Sequence, residues 1–268
     1  MHPMKAVVAV TAAVVLACAA AWGAALDEEL RSAAERGDAE AQGKLGVMLL
    51  TGAGVPQDRA EGLRWIRMAA EQGSAPAQEL LGGMYAEGKG VARDDTQALK
   101  WLRMAVAQND GNAMVRLAFL HLEGRSVDKD AVEATRLFRQ AAEQGHRVGQ
   151  FNLGVSYAEG DGGVAKDEVQ ALKWYRKSAD QGYADAQFAV GLRYATGRGG
   201  VPANMTEAAA WYRKAADQGQ AQAQYALALL YGTGKGVNED AAEAMRLLRQ
   251  SAQAGFVPAQ KALKQLGQ

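Results

Sequence analysis

The chain has 268 residues, of which 49% are hydrophobic and 22% charged, and its 30 basic residues equal its 30 acidic residues. Nucleic-acid binding rests on clustered Lys and Arg over phosphates, so this neutral chain without basic blocks is not expected to bind nucleic acid. Cys18 is the only cysteine, which excludes a disulfide within the chain. If the leader that contains Cys18 is removed, thiol catalysis is excluded as well.

Residues 1–25 are typical of an export signal. Lys5 precedes an apolar run over residues 6–21, and small residues follow, with cleavage expected after Gly23 or Ala25. The run has no helical periodicity, which favours a signal peptide over a buried core helix. We therefore expect a periplasmic or secreted protein.

A second interpretation of the leader is a lipoprotein signal. Residues 15–18 read Val-Leu-Ala-Cys and resemble a bacterial lipoprotein box, although leucine is unusual at its second position. Cleavage before Cys18 would then leave a lipid anchor in the envelope. This anchor is the only membrane attachment that we expect.

After the leader, one pattern returns every 36 or 37 residues, and this period indicates a solenoid of stacked units. In residues 184–220, two sets of apolar residues at spacings of three and four mark two helices, and Gly197 and Pro202 separate them. Each unit is therefore predicted to be an antiparallel helical hairpin. We expect a capping half-repeat, six hairpins and a capping helix, over residues 26–38, 39–74, 75–110, 111–146, 147–183, 184–220, 221–256 and 257–268.

Two features recur in every unit. The first helix carries Leu or Val followed by Gly or Ala, as in Val190 and Gly191, which predicts a close approach between two helices. The second helix begins with a capping box, in which Asp58 stands three residues before Glu61. A catalytic carboxylate pair would not be needed six times over, so these acids are interpreted as helix caps.

The pattern Ala-x-Ala-Gln-x-x-Leu-Gly-x-x-Tyr-x-x-Gly, Gly-Val-x-x-Asp and Ala-x-x-Trp-x-x-x-Ala-Ala-x-x-Gly resembles the Sel-one-like repeat (SLR) family. The third unit departs from it at His121 and Leu137, and the sixth at Leu247. The resemblance implies an all-α fold, an α/α solenoid in which antiparallel hairpins form a right-handed superhelix. It also implies a scaffold or adaptor for protein complexes, which in exported bacterial members serves the cell envelope.

The sequence lacks the common signatures of an enzyme. Its three histidines, His2, His121 and His146, do not form a ligand pattern, and no Walker, zincin or nucleophile-elbow motif is present. We therefore expect no catalytic residues, no metal and no cofactor.

If the first helices line the concave wall, as the resemblance suggests, the side chains opposite each Leu-Gly pair form a binding surface. The first two repeats place Gly43, Val47, Glu79 and Gly83 there, and the wall is apolar from the third repeat onward. The candidate partner-binding residues are Val115, Phe119, Phe151, Val155, Phe188, Leu192, Tyr225 and Leu229. We expect them to bind an apolar or aromatic segment of a protein partner. The alternative is that neighbouring first helices bury these side chains as packing between repeats.

Two other functions stay open at this point. One is an exported hydrolase of cell-wall material or a β-lactam, because cysteine-rich relatives are linked to such substrates through disulfide-bonded repeats that this chain lacks. The other is a secreted effector that binds a host protein, which would be found in the culture supernatant.

Overall fold

The computed structural model describes residues 28–267, and the predicted signal peptide, with Cys18, lies outside the described residues. A helical segment over residues 28–35 comes first. The helices that follow are α1 (Ala39–Thr51), α2 (Arg59–Glu71), α3 (Ala75–Glu87), α4 (Asp95–Ala107), α5 (Gly111–Glu123), α6 (Ala131–Glu143), α7 (Arg147–Glu159), α8 (Glu168–Asp180), α9 (Ala184–Thr196), α10 (Met205–Asp217), α11 (Ala221–Thr233), α12 (Ala241–Gln253) and α13 (Val257–Gln265). Residues 28–267 contain no strand, and the all-α prediction is confirmed.

Local chemistry sets the ends of these helices. Asp58 accepts a hydrogen bond from the Glu61 N–H at 2.9 Å, and Asp240 does the same for Glu243 at 2.9 Å. Such a cap is worth about 1 kcal/mol because it satisfies a backbone donor that the helix leaves without a partner. At the other end, α1 stops at Gly52, whose φ of 75° is a left-handed conformation that glycine adopts without strain.

The chain forms two compact units, residues up to Arg116 and residues from Leu117, so the division falls within α5. In the first unit, α1 to α4 pack in chain order, each against the next. In the second unit, α6 to α13 pack in the same consecutive way. Thus α3, α7, α9 and α11 each contact the second helix of their own hairpin and the second helix of the hairpin before it.

The recurring Leu-Gly pair lies at the centre of each hairpin. Leu45 and Leu81 are fully buried or nearly so, as is Val190 at the same position. A Cβ atom on Gly191 would lie 2.6 Å from Cδ1 of Tyr212, which is closer than side chains approach. In this hairpin a side chain at position 191 would therefore force Tyr212 to move, because the two helices touch there.

A buried glutamine in each of several first helices links one hairpin to the next. Gln42 donates from Nε2 to the Ala34 carbonyl at 3.0 Å and accepts at Oε1 from Gln72 at 2.6 Å. We call each such pair of glutamines an amide rung. The rungs are Gln72–Gln42, Gln108–Gln78, Gln181–Gln150 and Gln218–Gln187.

The last hairpin lacks this rung. Gln224 keeps its donor bond to the Ala216 carbonyl at 3.3 Å, and only 6% of the residue is exposed. Ala254 occupies the position of the second glutamine, and the buried Oε1 of Gln224 has no hydrogen-bond partner. A buried acceptor without a partner destabilises the fold, so the sixth hairpin carries a specific local defect.

Candidate functional site

The predicted binding residues of the second unit separate into two rows one helical turn apart. The inner row consists of Phe151, Phe188 and Tyr225, and the outer row consists of Phe119, Val155, Leu192 and Leu229. Val115, the remaining candidate, belongs to the first unit and is only 7% exposed. It therefore offers little surface to a partner.

The inner row packs against aromatic side chains of its own chain. The Phe151 ring lies 5.6 Å from the Tyr175 ring and 5.3 Å from the Tyr183 ring. Tyr183 is the residue immediately before the next first helix, so Phe151 sits between its own hairpin and the junction to the following one. Phe188 lies 5.6 Å from Tyr212, and Tyr225 lies 5.4 Å from Phe256, measured between ring centroids. These half-buried rings serve as packing in this structure.

The outer row is more open to solvent. Phe119 and Leu192 are each 39% exposed and Leu229 is 50% exposed, while Val155 is half-buried. Phe119 packs against the buried Phe138 ring in a T-shaped arrangement, at a centroid distance of 5.4 Å. The second unit therefore presents apolar side chains at one repeat position on four successive first helices.

The first hairpin has an open groove at the corresponding positions. Gly43 stands where Phe151 stands in the fourth repeat, and a Cβ atom on it would meet only the Cβ of Ala69, at 4.0 Å. The groove has a volume of about 960 Å³. Its apolar walls are formed by Leu30, Val47, Met48, Ile66, Pro76 and Leu80.

In the second hairpin, charged side chains that form ion pairs occupy the corresponding space. Arg116 donates from Nε to Glu79 Oε1 at 2.5 Å and from Nη1 to Glu87 Oε1 at 2.6 Å. Its guanidinium occupies the space beside Gly83, where a Cβ atom would lie 2.9 Å from Cζ of Arg116. Hydrogen bonds from Lys89 and Arg116 hold the pKa of Glu87 below its ordinary value. We call the side chains of Glu79, Glu87, Lys89 and Arg116 the polar plug.

The titratable groups with displaced pKa values belong to packing and ion pairs. Burial raises the pKa of both Tyr175 and Tyr212 to about 12. The pKa of Glu243 is lowered by its hydrogen bond to Arg246 on the same helix. Within residues 28–267, no group of three or more His, Cys, Asp or Glu side chains is arranged to hold a metal ion.

Successive helical hairpins with one recurrent set of buried and outward positions define a helical-repeat protein of the α/α solenoid class. The chain belongs to the Sel1 repeat family, as the resemblance predicted. The family matches at residues 39–74, 75–110, 111–146, 148–183, 184–220 and 221–256.

Solved structures agree with this assignment. A protective antigen of uropathogenic Escherichia coli strains with an SLR fold is 39% identical, with a TM-score of 0.77, over 87% of this chain and 50% of the antigen. The chain thus spans about half the length of that antigen. A Sel1 repeat protein from Oxalobacter formigenes is 31% identical, with a TM-score of 0.73, over 80% of this chain and 84% of that protein.

A more distant likeness extends to the fold alone. The immunity protein Pa5087 of Pseudomonas aeruginosa is 19% identical, with a TM-score of 0.53, over 82% of this chain and 83% of that protein. No curated protein matches the chain. The α/α solenoid prediction is confirmed by the Sel1 repeat structures, and the fold suggests a scaffold for protein–protein interactions.

Proteins of this family are generally non-enzymatic helical scaffolds that bind protein partners. Among the helices of residues 28–267, none has the length and apolar character needed to cross a membrane.

Sequence reasoning missed the groove in the first hairpin. Apolar side chains at the predicted wall begin with the third repeat, and Gly43 has no side chain by which such a pattern could include it. The feature that could have indicated the groove is Gly43 itself, because three other repeats carry Phe or Tyr at this position. A missing ring indicates a cavity only when the residues around it are also known.

Proposed function

We propose that the protein is a non-enzymatic scaffold of the bacterial cell envelope, which binds an apolar segment of a protein partner through the outer row. The observation that carries this proposal is the exposure of Phe119, Leu192 and Leu229 at one repeat position of the second unit. Single exposed apolar residues are ordinary on protein surfaces. Their recurrence at one repeat position, with the half-buried Val155 at that position on the first helix between Phe119 and Leu192, gives a set of anchors instead.

The proposed partner segment is a chain with apolar side chains on one face. Repeat proteins bind such segments along successive hairpins, and helices bind in apolar grooves through side chains at regular spacing. Full burial of a Leu or Phe side chain contributes about 1.5–3 kcal/mol, so several partly exposed anchors can together support specific binding.

The outer row is tested by capture from envelope extract. The bait is the purified protein, compared with the triple variant Phe119→Ser, Leu192→Ser, Leu229→Ser. A matched control is Val132→Ser with Val169→Ser, because these two valines of the second unit are 61% and 56% exposed on second helices. Circular dichroism checks that all three proteins are folded.

A partner that is retained by the unchanged protein and by the valine control, but lost by the triple variant, supports the proposal. Equal retention by all three proteins would place the binding surface elsewhere and contradict the role of the outer row. Hydrolysis of peptidoglycan or of a β-lactam by the purified protein would contradict the non-enzymatic part of the proposal.

The envelope location is part of the same proposal. It is supported by the export signal predicted over residues 1–25 and by the similarity to a protective antigen of uropathogenic Escherichia coli. Cell fractionation and mass spectrometry of the mature N-terminus test it. A start at Ala24 or Leu26 indicates a periplasmic protein, and a lipid on Cys18 indicates an anchored one. An uncleaved protein in the cytoplasm would contradict export, and accumulation in the culture supernatant would favour a secreted effector.

A further inference from the structure

Three repeat positions meet beside a first helix in the second unit. They are a first-helix position, a second-helix position and the residue immediately before the next first helix. In the fourth repeat these are Phe151, Tyr175 and Tyr183, whose rings contact one another through Phe151 at 5.6 and 5.3 Å. The fifth and sixth repeats also place an aromatic ring at the first position, on Phe188 and Tyr225, against an aromatic neighbour at one of the other two. The chain thus fills this site with its own rings.

The first hairpin has smaller residues at all three positions. Gly43, Ile66 and Ser74 replace the Phe, Tyr and Tyr of the fourth repeat, and all three line the groove of about 960 Å³. A site that holds an aromatic ring of this chain in three other repeats is therefore open here. Its walls are apolar, and Leu30 and Leu80 extend them beyond the space of a single ring.

The rim of the groove adds polar groups without net charge. Glu40 and Lys44 lie on the rim and form an ion pair with each other at 2.6 Å, so they favour neither a cationic nor an anionic occupant. Ser74, at the N-cap of α3, makes no side-chain cap hydrogen bond, whereas Asp38 and His146 at the same repeat position do. The serine hydroxyl can therefore pair with a backbone group of a bound segment.

We propose that the groove of the first hairpin binds an uncharged aromatic side chain from a protein partner. This inference rests on the proposed scaffold function and adds a second contact, in the first unit, to the outer row of the second unit. The volume exceeds that of one ring, so residues flanking the aromatic side chain enter the groove with it. The chain's own Phe151 and Tyr225 show the chemistry that such a site accepts.

The test uses the purified full-length protein. The probe is N-acetyl-tryptophanamide, and N-acetyl-alaninamide is the control ligand without an aromatic ring. Binding is measured by saturation-transfer NMR and titration. Gly43→Phe supplies the ring that the fourth and fifth repeats carry, and it should weaken probe binding by about tenfold or more. Gly43→Ala is the matched control, because its Cβ meets only Ala69 at 4.0 Å, and it should leave the affinity within about twofold.

A second filling variant, Ser74→Tyr, reproduces the residue of the fourth repeat at the junction and keeps the test valid if Gly43→Phe does not fold. The proposal is supported if every filling variant that folds binds the tryptophan probe more weakly, while Gly43→Ala binds it with unchanged affinity. It is overturned if the unchanged protein prefers the alanine ligand or binds neither, or if filling the groove leaves binding of the tryptophan probe unchanged.

Two other occupants would also overturn it. Sedimentation that shows a dimer converted to a monomer by Gly43→Phe would identify a second copy as the occupant. If the purified chain retains Trp22 and binds the probe only after Trp22→Ala, the occupant is the leader itself. The envelope capture with the outer-row variant is independent of the groove. If the unchanged protein does not bind the probe but still captures a partner through the outer row, this inference is contradicted and the scaffold function stands.

Discussion

The missing amide rung of the last hairpin gives a prediction that can be worked from the structure. Restoring it requires one substitution, Ala254→Gln, at the position held by Gln218 in the preceding repeat. The new carboxamide would donate to the buried Oε1 of Gln224, as Gln218 donates to Gln187 at 2.8 Å. The substitution is thus expected to complete an interaction that four other hairpins within residues 28–267 already make.

The size of the effect follows from two opposing contributions. A buried acceptor without a partner costs about 1–3 kcal/mol, and satisfying it recovers that cost. Ordering a glutamine side chain costs about 1–2 kcal/mol in lost rotamer freedom. We therefore expect Ala254→Gln to raise the free energy of unfolding of the last hairpin by about 1 kcal/mol. The reverse change, Gln218→Ala, should impose the same defect on Gln187.

The assay is urea unfolding followed by circular dichroism, together with hydrogen exchange of α11 and α12, because a terminal hairpin opens locally. The control is the Gln224→Leu background, because a leucine side chain has similar length and neither donates nor accepts hydrogen bonds. In that background the buried amide oxygen is absent and Ala254→Gln has no acceptor to satisfy, so it should give no gain. An equal gain in both backgrounds, or no gain in the unchanged chain, would refute the reasoning.

Two further predictions concern the centre of the hairpins. Gly191→Leu should lower the free energy of unfolding by about 1–3 kcal/mol, because even a Cβ would lie 2.6 Å from Tyr212, and an unchanged urea midpoint would contradict this geometry. Burial raises the pKa of Tyr212 from 10.0 to about 12, so the folded chain holds this proton more tightly than the unfolded chain. The associated stability is fully present below pH 10 and is lost as the pH rises towards 12, by about 2 kcal/mol near pH 11.5. Tyr212→Phe should lack this loss, and parallel alkaline unfolding curves for the two proteins would show that the hydroxyl is not responsible.

The features that the sequence predicted well are those that local spacing determines. A capping box is complete within four residues, so Asp58 and Glu61 indicate the start of α2 without any knowledge of packing. The Leu-Gly pair likewise depends on contact within one hairpin. Because both features recur with the period of the repeat, the fold class and the family could be predicted from the sequence.

The division of the apolar wall into two rows could not be predicted in the same way. Phe151 and Leu192 both lie opposite the Leu-Gly stripe and are equally apolar. Phe151 is covered because Tyr175 and Tyr183 reach it from the second helix and from the junction to the next repeat. Leu192 has no such cover and is 39% exposed. The difference arises from tertiary contacts between positions that are distant in the pattern.

The amide rungs also bear on how the chain unfolds. Those of the first unit contain Gln42 and Gln78, and those of the second unit contain Gln150 and Gln187. In a repeat array, stability is a sum of the stability of each repeat and its coupling to the next, so a weakened coupling divides the cooperativity of the transition. The donor bonds of the same glutamines, such as Gln42 to the Ala34 carbonyl at 3.0 Å and Gln187 to the Ala179 carbonyl at 3.2 Å, join a first helix to the helix before it, so the loss of one such bond should weaken the coupling between those two neighbours within their unit.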